Sequence, residues 1–291
     1  MNAAPFGILL DVDGPVSSPA TRTVAPSLLG DIGSLLAAGV PIVLNTGRST
    51  AFVAEHVLSP LADAGLARGA RLHAICEKGG VWTSAGPDGM GDVHLDPALR
   101  VPDICRELIE RLVEHDYGDA MFVDDSKQVM ATVEARTDVP NAVYLARQRA
   151  FDADLLAGLI AAGFGVRLRD QRHPDVSGAT PWRIDPSVIA TDLESDASGK
   201  ALGARRALTL LAEDGPLPRV WHTVGDSRSD YAMADELHRR GYEVTHVDVG
   251  PEGPLTGRPY VVTSVPGQVY EAAGGAYVQS LVDRLPAAPC R

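Results

Sequence analysis

Two aspartates one residue apart, Asp11 and Asp13, end the apolar run at 6–10, and Gly14 follows them directly. Side-chain directions alternate along a strand, so positions i and i+2 reach the same space beyond its end. One carboxylate placed there is able to attack phosphorus and form a covalent intermediate. Its neighbour is able to protonate a leaving oxygen and then activate water. A second acidic pair, Asp226 and Asp230, lies in Gly225-Asp226-Ser227-Arg228-Ser229-Asp230, after the strand-like segment at 220–224. Carboxylates gathered this densely repel one another and ask for a hard cation such as Mg2+. Thr46 offers a hydroxyl donor, and the amide of Gly47 or Arg48 offers another at a helix start. Lys200 brings a positive charge to pair with phosphate and with the nucleophile's carboxylate.

These groups need a scaffold that brings positions 11, 46, 200 and 226 together. The runs at 6–10 and 41–44 are continuously apolar, as strands buried on both faces should be, and 72–76 supplies a third strand. Helical spacing at 27–38, stopped by Gly39, and a helix capped by Ser49 or Thr50 separate them. Strand–helix alternation of this kind implies a parallel sheet covered by helices. Ligands in such a sheet gather at the carboxyl ends of its strands. The pattern changes after Gly79-Gly80, and 86–91 is a turn-rich break. A helix at 101–114, strands near 120–123, 128–134 and 142–145, a helix at 151–162, and strands near 166–168 and 182–184 suggest an α+β insert. The alternation then resumes with a helix from 200 to 212, strands at 220–224, 244–249 and 260–262, and a last helix from 275 to 284. The expected architecture is α/β: a doubly wound parallel-sheet core of residues 1–83 and 191–291, interrupted by an inserted α+β cap at 84–190.

With the motifs in hand, the chain resembles a haloacid-dehalogenase-superfamily phosphatase. The family's first motif, DxDG, is matched by Asp11-Val12-Asp13-Gly14, and its second, a Ser or Thr after an apolar strand, by Thr46. Its third, a Lys opening a helix, is matched by Lys200, and its fourth, GDxxxD, by Gly225 to Asp230. The resemblance implies that Asp11 is the nucleophile and Asp13 the general acid/base. It implies Mg2+ on the Asp11 carboxylate, the Asp13 backbone carbonyl and Asp226, with Asp230 bound directly or through water. Thr46, Gly47 and Lys200 would hold the transferring phosphoryl group. The long separation of Thr46 from Lys200 resembles the large α+β cap of the sugar-phosphatase branch, which includes hydrolases of mannosylphosphoglycerate, trehalose phosphate and sucrose phosphate. Glu77-Lys78-Gly79-Gly80 resembles that branch's Glu-Asn-Gly-Gly, with Lys78 in place of Asn and Ser229 in place of the Asn that often precedes the last Asp.

Composition sets the class of partner. Lys and Arg total 26 against 38 Asp and Glu, a formal net charge of −12. That argues against a nucleic-acid binder, which needs a basic face, but not against a small phosphorylated metabolite met by a local cationic site. No apolar run approaches the roughly 18 residues of a membrane span. Cys76, Cys105 and Cys290 form no CxxC pair, so neither a zinc knuckle nor a disulfide framework is expected, and a reducing cytoplasm is the natural setting. The sequence leaves the oligomeric state open. Arg48 and Lys78 are further candidates to touch substrate, although Arg48 equally suits a helix-pairing role. His222 reads as a hydrogen-bonded core residue, Asp124-Asp125 as a solvated turn, and Trp82 and Trp182 as hinge packing. The expected reaction is hydrolysis of a small phosphate monoester, a sugar or polyol phosphate by preference. Phosphoryl transfer within a sugar, as in phosphomannomutase-like relatives, and a catalytically silent metabolite-binding protein on the same fold are the alternatives.

Overall fold

Strands β1 (Gly7–Leu10) and β2 (Ile42–Asn45) are buried along their whole length, as their apolar residues up to Leu10 and Leu44 require. The computed structural model describes residues 4–285, and Cys290 lies outside them. Chain order runs from β1 through α1 (Pro26–Ala37) to β2, then α2 (Thr50–Val53), a π-helical turn and α3 (Ser59–Asp63), to β3 (Leu72–Cys76). The edge follows as β4 (Val81–Gly86), β5 (Gly89–Met90) and β6 (His94–Leu95). After the second unit come α6 (Lys200–Asp214), β13 (Val220–Gly225), α7 (Tyr231–Arg239), β14 (Glu243–Asp248), β15 (Val261–Thr263) and α8 (Tyr270–Val282). The sheet order is β15-β14-β13-β1-β2-β3-β4-β5, with β6 beside β4. The six strands from β15 to β3 are parallel, and β4 and β5 run antiparallel at the edge.

The chain moves outward from β1 to β2 and β3, and later returns to β13 on the other side of β1. That reversal makes the space beyond the ends of β1 and β13 the topological switch point, the place where such sheets bind ligands. Leu9, Val43 and Ile75 from three strands pack with Ala204, Ala207 and Leu211 of α6 and Met233 and Leu237 of α7. Each fully buried Leu or Ile contributes about 2 kcal/mol, so this face fixes α6 firmly on the sheet. Polar ties add direction. The Arg71 guanidinium caps the α6 end through the carbonyls of Leu211 and Gly215, at 2.6 and 3.2 Å. His73 bridges Asp214 at 2.7 Å and Ser84 at 2.8 Å, joining that end of α6 to β3 and β4.

Residues up to His94 and from Gly199 onward form one compact unit, and Leu95–Ser198 form another. The stretch 86–91, read from sequence as a turn-rich break, is the hairpin turn carrying β5 at the edge of the first sheet. At the other border β12 (Ala190–Ser195) pairs with β11 (Trp182–Pro186) and β8 (Ala131–Ala135), in the second sheet. That sheet has the order β10-β9-β11-β12-β8-β7, completed by β7 (Met121–Val123), β9 (Val166–Leu168) and β10 (Gln171–His173). It packs against α4 (Asp103–Leu112) and α5 (Asn141–Ala161) through Ile109, Phe151, Leu155, Val133 and Ile184.

Two sequence expectations are corrected here. The strand expected at 142–145 is the first turn of α5: Tyr144, Gln148, Phe151, Asp152, Leu155 and Leu159 are buried at helical spacing. Buried Gln148 hides that period. Its amide donates to the carbonyls of Ser187 and Ala190 at 2.9 and 3.0 Å. The last helix begins at Tyr270 rather than 275, because Gly274 lies inside it where a Cβ would sit 2.0 Å from the Pro15 carbonyl oxygen. Among the described residues, no helix is long and apolar enough to cross a membrane.

Candidate active site

The apolar strand β1 delivers Asp11 to the switch point, and the Asp11 amide still pairs with the Val224 carbonyl of β13 at 2.9 Å. Asp11 Oδ1 accepts from the Val12 amide at 2.6 Å and faces Lys200 Nζ at 2.7 Å. Lys200 is the first residue of α6, set up by Gly199 in a conformation (φ +147°) that only glycine adopts easily. Its ammonium has three donors and three acceptors: Asp11, Asp230 Oδ1 at 2.7 Å and the Asn45 carbonyl at 2.8 Å. Asn45 returns the contact, donating its side-chain amide to the Lys200 carbonyl at 2.9 Å. Gly203 makes room for it, since a Cβ there would lie 1.9 Å from Asn45 Oδ1.

Asp13 sits half-exposed beside this core, and its carboxylate is engaged by Arg48. Nε of Arg48 donates to both carboxylate oxygens at 2.9 Å, and a terminal nitrogen donates at 2.8 Å. The guanidinium also lies 4.6 Å above the Phe52 ring, which limits its freedom. Thr46 is fully buried; its amide bonds the Ile75 carbonyl, and its hydroxyl accepts from the Arg48 amide at 3.1 Å. Lys78 reaches the same turn from β3. Its amide bonds the Thr46 carbonyl at 2.9 Å, its carbonyl accepts from the Gly199 amide at 2.6 Å, and its stem lies beside Gly47. Glu77 and Lys78 are both left-handed (φ +48° and +53°), a strained pair held by these two bonds.

Asp230 is fully buried. Its Oδ2 accepts from the Ser227 amide at 3.0 Å and the Ser227 hydroxyl at 2.7 Å, closing a capping box ahead of α7. Gly225 permits this, because a Cβ there would meet Asp230 Cβ at 2.2 Å. Gly14 (φ +87°) does the same for Asp226, whose Cγ would stand 2.5 Å from a Gly14 Cβ. The glycines of both acidic motifs therefore serve to seat carboxylates.

The charges are unevenly matched. Burial, with help from Asp230 and Asp13, holds the Asp11 carboxyl well above the ordinary carboxylate range despite Lys200. Burial and the nearness of Asp230 push Asp226 up to about 6. Burial opposes ionisation of Asp230, but Lys200 and the Ser227 bonds outweigh it and leave that carboxyl below its ordinary range. Burial likewise works against the Lys200 ammonium, and the attraction of Asp11 and Asp230 overcomes it. Asp11, Asp226 and Asp230 each present an oxygen within 4.8 Å of the others. One ammonium does not balance three such carboxylates. An all-oxygen donor set of this charge fits a hard divalent cation of the Mg2+ kind.

The structure thus brings Asp11, Asp13, Thr46, Gly47, Arg48, Lys78, Lys200, Asp226 and Asp230 to one end of the first sheet. Arg48 and Lys78, singled out as residues to touch substrate, contact Asp13 and the Thr46-Gly47 turn. The metal role expected of Asp13, through its backbone carbonyl, does not require the carboxylate that Arg48 holds. Sequence reading missed the Asn45–Lys200 clasp and the Arg48–Asp13 pair. The only hint of the first was a polar residue at the end of an apolar strand. His222 has the core role expected, bonded to the Tyr277 hydroxyl at 2.8 Å. Trp82 lies under the Arg206 guanidinium in the first unit, and Trp182 packs on the core of the second.

No family model and no curated protein matches this sequence. Solved structures do. A trehalose-6-phosphate phosphatase related protein shares 14% identity with a TM-score of 0.55, covering 95% of this chain and 97% of its own. A haloacid dehalogenase-like hydrolase from Bacteroides thetaiotaomicron shares 9% identity with a TM-score of 0.58, covering 96% and 100%. The N-terminally truncated IMP-nucleotidase of Plasmodium falciparum shares 11% with a TM-score of 0.54, covering 96% and 70%. The likeness is one of fold: a doubly wound, mostly parallel sheet accompanied by a second α+β unit, as in haloacid-dehalogenase-like hydrolases.

Proposed function

We propose that the protein hydrolyses small phosphate monoesters, a sugar or polyol phosphate by preference, through an aspartyl-phosphate on Asp11. The observation that carries this reading is the Asp11 carboxylate at the switch point, in contact with Lys200 and grouped with Asp226 and Asp230. Asp11 Oδ attacks phosphorus, the bond to the ester oxygen breaks, and that oxygen takes a proton from Asp13. Asp13 then removes a proton from water as the water oxygen attacks phosphorus. The bond to Asp11 breaks, restoring the free carboxylate and Asp13 in its acid form. Thr46 and the amide of Gly47 are assigned to the phosphoryl oxygens, together with Lys200, whose ammonium also holds Asp11 on line. Asp11, Asp226 and Asp230, with the Asp13 carbonyl, are assigned to Mg2+, which when bound offsets charge on the transferring group.

Arg48 is assigned as the residue that positions Asp13. Its guanidinium donates to both carboxylate oxygens of Asp13, so the acid step requires the incoming phosphoryl charge to compete for the guanidinium. The unit inserted between the Thr46 and Lys200 segments is assigned the choice of leaving group, since no motif in the first unit specifies one. The names of two neighbours, a phosphatase related protein and a nucleotidase, agree with a phosphomonoester substrate. The test is a panel of sugar, polyol and nucleotide monoesters with Mg2+, measuring free phosphate and separating any isomerised sugar phosphate. Phosphate release that disappears in Asp11→Asn supports the reading. Isomerisation without release would replace it with a phosphomutase, and no turnover of any ester would leave a binding protein.

A further inference from the structure

A groove of about 690 Å³ runs along α6 away from Asp11, between that helix and the edge strands. Its wall is cationic in a chain whose formal net charge is −12: Arg205, Arg206 and Arg240 line it, against Glu213 alone. Behind them a single carboxylate, Glu236, holds three guanidiniums. Arg240 Nε donates to it at 2.6 Å, Arg239 at 2.7 Å, and Arg205 stands 3.5 Å away. Glu236 is almost wholly buried, so it fixes these arginines without presenting its charge to the groove. One negative charge under three positive ones leaves an excess of two at that point. Arg240 uses only Nε on Glu236, which leaves both terminal nitrogens of its planar fork for another acceptor. Arg206 is stacked 4.1 Å over the Trp82 ring, whose other neighbour is His94, stacked at 5.7 Å. The arginine wall is therefore braced by a buried carboxylate on one side and by an aromatic ladder on the other.

We propose that this groove binds the phosphate group of a small, multiply charged anion, at a site separate from Asp11. The volume suits a metabolite rather than a lone ion. A planar fork held in place loses little freedom on meeting a phosphate, and two such forks recognise it in bidentate fashion. Ser84 and Thr209 add hydroxyls to the same lining. The first residue of α6 is Lys200, so a ligand here rests on the helix that carries a candidate site residue at its start. The proposal nevertheless stands whether or not Asp11 is a nucleophile.

The test uses the full chain without added metal, so that the probe is neither hydrolysed nor chelated. Inorganic pyrophosphate is titrated while tryptophan fluorescence reports on Trp82, and calorimetry measures the same binding. ADP and sulfate serve as comparison arms: ADP binding more tightly than pyrophosphate marks a nucleotide-like body, and pyrophosphate binding more tightly than sulfate marks the need for more charge. The expected result is saturable binding below 1 mM that weakens with salt. It should weaken tenfold or more in Arg205→Gln/Arg240→Gln, while phosphate release from a good monoester stays within twofold. Glu213→Lys, an exposed change, should tighten binding threefold or more. Trp82→Phe should remove the optical signal and keep the calorimetric one. Absence of saturation by 10 mM, or unchanged binding in both charge variants, overturns the proposal by placing any bound anion elsewhere.

Discussion

Replacing Lys200 by methionine keeps the volume of the side chain and removes the one cation among three buried groups. Lys200 Nζ stands 2.7 Å from Asp11, 2.7 Å from Asp230 and 2.8 Å from the Asn45 carbonyl, all within the protein. Breaking a buried ion pair by deleting one partner costs about 3–5 kcal/mol, because the remaining charge has lost its compensation. The folded chain has one way to limit that cost, which is to take up a proton on one of the two carboxylates. Bringing a carboxylate of ordinary acidity to pH 7 protonated costs about 4 kcal/mol at 1.36 kcal/mol per unit, so the loss at pH 7 should be about 3–4 kcal/mol. The sign with pH follows. The folded variant binds a proton that the unfolded chain does not, so its stability falls as pH rises, by about 1.4 kcal/mol per unit between pH 4 and 7. Urea unfolding of wild type and Lys200→Met at pH 5, 6, 7 and 8, without metal, measures both quantities. The added substitution Asp230→Asn should return much of the loss. A loss below about 1 kcal/mol, or one that does not change with pH, would refute the view that Lys200 compensates buried carboxylates.

Gly14→Ala should destabilise the fold by about 2 kcal/mol, from the left-handed backbone and the contact of its Cβ with Asp226. Thermal unfolding measures that loss, and Mg2+ titration should show weaker binding because Asp226 is displaced. Asp226→Asn should raise the Mg2+ concentration needed for half-maximal phosphate release about tenfold or more, by removing one charged ligand of three. Arg48→Ala should slow hydrolysis of alkyl phosphates about a hundredfold and affect aryl phosphates less, since good leaving groups depend less on Asp13; steady-state rates on both esters decide it. His222 is buried neutral against Tyr277, and burial depresses it to about 4. Below pH 6.5 the unfolded chain therefore binds a proton that the folded chain refuses, and about 3 kcal/mol of stability is lost on going from pH 6.5 to 4. His222→Gln should flatten that part of the denaturation profile, and His246, depressed to about 4 in the same way, should retain the rest.

The parts of the molecule legible in the sequence are those where one residue's type decides the outcome locally. Short, mostly apolar runs marked β1, β2 and β3, and closely spaced aspartates after such runs marked the acidic site. Elements whose period depends on a distant partner were harder to read. α5 buries Gln148 and Asp152 among its apolar residues because carbonyls and Thr191 from β12 satisfy them, so its first turn looked like a strand. The start of α8 was hidden by Gly274, whose meaning lies in the Pro15 backbone that packs on it. The same holds at the site. Arg48 after Thr46 suggested a contact with substrate, while its engagement with Asp13 depends on two loops meeting in space. No spacing rule links positions 13 and 48.

Strand order also sets a timetable. In the ladder Gly7 faces Trp221, and Leu10 faces Val224, so β1 has its second neighbour only after most of the chain has been made. Chains emerge from the ribosome beginning at the N-terminus, and contacts this distant in sequence are slow to close. Until β13 appears, β1 presents an open parallel edge, and Asp11 stands in water as an ordinary solvated carboxylate. The segment 95–198, in contrast, holds all the strands of its own sheet within one contiguous stretch. The buried carboxylate cluster is thus among the last parts of the protein to come into being, and a chain cut short before residue 220 has Asp11 in sequence but no site around it.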